Sequence, residues 1–119
     1  MTMTLLSPCA DGINWKPIAT PPLWCANGQD FVLTITVTDP FPEGTTSWID
    51  IDDVPDHFAT GVLSADRRTF SYRVEAPGSN DTVVADRAGY RGWVNAPNAD
   101  TGTVDNWKWF RGEVRRDDL

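Results

Sequence analysis

Residues 31–38, Phe-Val-Leu-Thr-Ile-Thr-Val-Thr, alternate apolar side chains with threonine at period two. That period places one set of side chains on each face of an extended chain and predicts a half-buried strand, with Val32 the one mild departure. The run Asp39-Pro40-Phe41-Pro42-Glu43-Gly44 reads as a turn. A second strand follows over 45–52, with Ser47, Ile49 and Ile51 on one face and Trp48, Asp50 and Asp52 on the other. A third, over 58–64, is weakened by Gly61. Residues 68–76 alternate cleanly, with Phe70, Tyr72, Val74 and Ala76 inward, and Pro77-Gly78-Ser79-Asn80 ends them. Residues 82–87 fit either a helical turn or a strand. Residues 89–96 form another strand, followed by a loop holding Pro97, Asn98, Asp100 and Gly102. Residues 107–116 form the last strand, with aromatics on both faces through Trp107, Trp109 and Phe110. No stretch of ten or more residues carries a 3.6-residue period. Short strands separated by turn signals indicate an all-β protein, an antiparallel β-sandwich or small barrel.

The first 27 residues lack any such period. Pro8, Pro17, Pro21 and Pro22, with Gly12 and Gly28, remove amide donors and push the preceding residues towards extended backbone. This stretch reads as an extended Pro-rich N-terminal arm, residues 1–27, ahead of a sandwich domain, residues 28–119. Trp15, Leu23 and Trp24 are its apolar anchors, and they need a surface to dock on, in the same domain or in a neighbour.

Composition narrows the function. The chain has 119 residues, room for a single domain, and no apolar run of membrane-spanning length. Residues 1–8 carry no basic residue and too short an apolar run for a signal peptide. Ten Lys and Arg against seventeen Asp and Glu give a net charge of −7. Residues 17–66 contain no Lys or Arg at all, so the basic stripe that nucleic-acid backbones require is missing from the first half. Neither nucleic acid nor membrane is an expected partner. The charge asymmetry suits a solubilising acidic face or docking on a basic protein surface.

Chemistry finds little purchase. His57, the only histidine, has Asp53 and Asp56 nearby but no serine or cysteine in a nucleophile motif. The run Asp50-Ile51-Asp52-Asp53-Val54-Pro55-Asp56 offers carboxylates to a hard cation. Counted from Asp50, however, the sixth and twelfth positions of a calcium loop hold Pro55 and Gly61 rather than Gly and Glu. Cys9 and Cys25 fit no zinc spacing. A disulfide between them does not follow from sequence, and without a secretion signal two free thiols are expected. No catalytic, cofactor or metal site is assigned, and no enzyme activity is expected. Six tryptophans in 119 residues are the compositional oddity. Part of them fill a small core. The surplus reads as contact surface, because an indole favours interfaces where its ring packs and its N–H finds a partner. The candidate interaction residues are Trp15, Leu23, Trp24, Trp48, Trp107 and Trp109.

Gly28-Gln29-Asp30-Phe31 leading into the alternating strand, Pro40-Phe41-Pro42-Glu43-Gly44-Thr45-Thr46-Ser47-Trp48-Ile49, and the closing Trp109-Phe110-Arg111-Gly112-Glu113-Val114-Arg115-Arg116 stand in an order that resembles the LtfC-like β-sandwich family of actinobacterial phages. The resemblance runs from residue 28 to about residue 117. The opening pattern is also similar to the N-terminal immunoglobulin-like module of phage baseplate upper proteins. The resemblance implies a non-enzymatic structural protein of the virion, assembled in the host cytoplasm. Its expected place is a minor tail or tail-tip protein that contacts other virion proteins and copies of itself. A capsid decoration or minor head protein is the first alternative, and a carbohydrate-binding module for the host envelope the second. No cofactor is implied.

Overall fold

A computed structural model of the chain describes residues 1–9 and 15–118; Gly12 of the expected arm and Leu119 lie outside the described residues. The described residues form nine strands and no helix: β1 (Thr2–Thr4), β2 (Ile18–Ala19), β3 (Leu23–Cys25), β4 (Phe31–Thr36), β5 (Thr46–Ile51), β6 (Ala59–Leu63), β7 (Thr69–Val74), β8 (Gly89–Asn98) and β9 (Thr103–Arg116). They are hydrogen-bonded in the order β1-β4-β7-β6-β5-β8-β9-β2, with β3 also on β9.

The sheet curls into two layers because β6 changes partner along its length. Ala59 and Thr60 face β5, whereas Gly61, Val62 and Leu63 face β7. The glycine that weakens the strand by propensity is what the crossing needs. A Cβ on Gly61 would sit 2.9 Å from ring atoms of both Phe70 and Tyr72, closer than packed carbon atoms tolerate. Leu33, Ile35, Phe70 and Tyr72 from one layer meet Ile49, Ile51, Tyr90, Val94 and Phe110 from the other, all buried.

Alternation places β4, β5 and β7 correctly. Phe31, Leu33 and Ile35 are buried and Val32 is exposed. Ser47, Ile49 and Ile51 are buried, and Phe70 and Tyr72 are buried while Val74 is only half so. Residues 82–87 are neither helix nor strand. They form turns folded around the buried Val84, whose amide bonds back to the Asn80 carbonyl.

The expected loop at Pro97 and Asn98 is instead a continuation of β8, in which Pro97 pairs with Val104 and Asn98 with Thr103. The hairpin turns at 99–102, closed by Gly102 with φ of 68° and its amide on the Asn98 carbonyl at 2.9 Å. Positive φ costs glycine nothing, so the turn can follow the strands' own twist. The aromatics of β9 also depart from strict alternation. Gly92 pairs with Phe110 and Trp93 with Lys108, so Trp109 is the extra residue of a β-bulge. The bulge turns both Trp109 and Phe110 into the core.

The largest correction concerns the antiparallel expectation. Pairings among β4 to β9 are antiparallel, but β1 runs parallel to β4, and β2 and β3 run parallel to β9, so the sheet is mixed. All three parallel strands come from the Pro-rich N-terminal stretch. It lies on the body of its own chain and covers the edges of β4 and β9, and Met3, Leu23 and Cys25 are buried there.

Candidate functional site

Prolines and short strands leave much of this N-terminal strap's backbone without ladder partners, and an unpaired buried carbonyl is costly. Long aromatic donors bridge strap and body in both directions. The Trp109 indole Nε1–H donates to the Leu6 carbonyl at 2.8 Å, the Trp15 Nε1–H to the Lys108 carbonyl at 3.0 Å, and the Tyr90 hydroxyl to the Pro21 carbonyl at 2.7 Å. Thr20 donates its hydroxyl to the Arg111 carbonyl and meets the Tyr90 hydroxyl as well. At the strap's end, the mostly buried Arg116 guanidinium donates to the carbonyls of Ser79 and Val84, to Asn27 and to Asp118. The Asp117 amide bonds the Cys25 carbonyl.

These contacts sort the candidate interaction residues. Leu23 and Trp109 are wholly buried in the chain's own core and offer nothing to a partner. Trp15 is half-buried, its N–H spent on β9. Trp107 is half-buried beside Cys9, Pro42 and Pro97 in a cleft of about 330 Å³. Trp24 is 61% exposed and lines a cleft of about 470 Å³ with Met1, Asp30 and Val32. It is the one large aromatic among the described residues that presents most of its surface to solvent.

Trp48 belongs to a larger arrangement that sequence reading missed. On the outward face of the β5-β8-β9 layer, register sets Trp48 opposite Trp93 and Trp93 opposite Lys108. Lys108 Nζ lies 5.4 Å from the Trp93 ring, and the His57 imidazole packs on Trp48 with centroids 5.0 Å apart. One pleat away on one side lie Thr46, Asn95 and Asn106, with Asn95 Nδ2 donating to Asn106 Oδ1 at 2.8 Å. On the other side lie Asp50, Arg91 and Arg111. Trp93 went unsingled because only its register with Trp48 marks it out.

Charges beside this row are largely paired. His57 Nδ1 and Asp50 Oδ1 are 2.6 Å apart, and Arg91 donates to Asp52 at 2.7 Å. That bond, with a further one from the Gly89 amide, holds the Asp52 carboxyl below its ordinary value. Asp50, His57 and Arg91 also line a cleft of about 530 Å³ with Asp56 and Pro55 at the end of the row. The His57–Asp50 pair has no serine or cysteine against it among its hydrogen bonds. Cys9 and Cys25 are free thiols, both pushed up by burial and so poor nucleophiles. Among the described residues no group of three or more His, Cys, Asp or Glu is placed to hold a metal ion. No helix among them is long and apolar enough to cross a membrane.

No curated protein matches the chain. A family model described as LtfC-like, beta-sandwich domain matches residues 17–117. The matched range starts before β2, so two of the three strap strands fall within the family's domain, beyond the resemblance read from residue 28. On this match over most of its length, and with a two-layer all-β body to fit it, the chain belongs to the LtfC-like β-sandwich domain family.

Proposed function

We propose that the protein is a non-enzymatic structural component of a bacteriophage virion, a minor tail or tail-tip protein with an immunoglobulin-like body that contacts other virion proteins and copies of itself. The single observation that carries this reading is the family match over residues 17–117. The exposed Trp24, with Met1 and Val32 beside it, supports a protein contact at the strap's edge, because an indole left mostly in solvent gains by being covered. Since the strap is held by its own domain, such contacts are made by its outer surface rather than by a free arm. A head decoration would use the same contacts at a different address. A host-glycan contact has the outward Trp48–Trp93 row behind it.

The test is copy number in purified particles, by quantitative mass spectrometry against the major capsid protein. A few to a dozen copies are expected for a tail tip. A simple fraction of the capsid lattice would assign the protein to the head, and absence from particles would overturn the structural reading.

A further inference from the structure

Trp48 and Trp93 project from neighbouring strands, and strands lie about 4.8 Å apart. Register puts them side by side on the outward face, with His57 packed on the Trp48 ring and Lys108 over the Trp93 ring. Side chains able to donate or accept hydrogen bonds flank them on both sides: Asn95 and Asn106 one pleat away, Asp50 and Arg91 the other way. A pyranose presents the same two chemistries, an apolar C–H face and a rim of hydroxyls. Apolar rings with a few placed polar groups are what small-ligand recognition requires.

The charges indicate which sugars. Asp50 is paired with His57 and Arg91 with Asp52, while Lys108 lies over Trp93. With the exposed Arg111 beside Arg91, the face carries both signs, and the net charge of −7 repels polyanions. We propose that the outward face of β5, β8 and β9 binds a neutral polysaccharide, with sugar faces on Trp48 and Trp93 and hydroxyls on Asn95, Asn106, Asp50 and Arg91. The cleft beside His57 and Asp56 extends the path of the chain. This rests on reading the face as a glycan contact and is independent of the protein's address in the particle.

The test is affinity electrophoresis of the full chain in gels containing a neutral galactomannan, β-glucan or arabinogalactan, with indole fluorescence titration of whichever retards it. At least one should retard the wild type, and Trp48→Ala and Trp93→Ala should each weaken binding about tenfold, the size of one lost stacking contact. Trp24→Ala, on a different surface, should bind as wild type. Melting curves report whether each variant is folded. If an indole variant is not, Asn95→Ala combined with Asn106→Ala reads the same site and should also weaken binding.

Retardation by none of the three polymers would overturn the proposal, as would retardation only by dextran sulfate or binding unchanged in the folded variants. Wild type that ignores all polysaccharides, with a Trp93→Ala variant that no longer enters particles, would assign the face to a protein partner instead. Copy number is measured separately, so failure here leaves the virion reading intact.

Discussion

Tyr72 and Ser47 bring a hydroxyl pair into the interior between the layers, and the pair is fully satisfied. The Tyr72 phenol donates to Ser47 Oγ at 2.5 Å, and Ser47 in turn donates to the Trp93 carbonyl at 2.7 Å. Burial pushes the Tyr72 phenol well up, so it stays a donor at any physiological pH. Ser47→Ala would leave that donor stranded, and a destabilisation of about 1–3 kcal/mol is expected by urea unfolding. Tyr72→Phe, which leaves Ser47 its bond to Trp93, should cost less. Gly92 answers to a stricter constraint. A Cβ there would lie 2.1 Å from two carbons of the Phe110 ring. Gly92→Ala should therefore cost about 3 kcal/mol or lose the bulge register altogether, visible as altered near-ultraviolet signals from the aromatics.

At the scale of elements, the strap is the deciding piece. Removing residues 1–24 would uncover the pocket of Leu23, unpair β1 from β4, and strip the Trp109 and Tyr90 donors of their carbonyls. The truncated chain is expected to lose its cooperative melting transition, and a folded, soluble remainder would refute this. Legibility followed the same division. In β4, β5 and β7, each residue's face follows from period two alone, so the core positions of these strands were readable. The bulge was not, because Trp109-Phe110 breaks the period in the same way that an exposed aromatic would. Nor was the strap's docking: pairings of two or three residues carry no period, and the partners of β2 and β3 lie at the far end of the sequence. The outward aromatic row was legible only in Trp48, because Trp93 joins it through β5–β8 register, a long-range fact.

For the molecule as a whole, acid is the expected weakness. Asp30, Asp52, Asp66 and Asp118 all titrate below the ordinary 3.8. The leading cause is a backbone amide for Asp30, and a side-chain donor for the other three: Arg91, Ser64 and Arg116 respectively. A carboxyl held down in the folded state contributes stability above its unfolded value and loses it as pH falls through the folded one. The melting temperature should thus be level from neutrality to about pH 5 and fall below about pH 4. Asp118→Asn, which removes the charge on the Arg116 clasp, should flatten part of that fall; a melting curve against pH checks both.

The two parallel pairings on β9 also impose an order in time. The strand partners of residues 18–25 lie only in 110–116, so these pairings must wait until almost the whole chain between them has been made. Loops this long close slowly. A chain interrupted before β9 therefore leaves β2 and β3 with no strand to pair with.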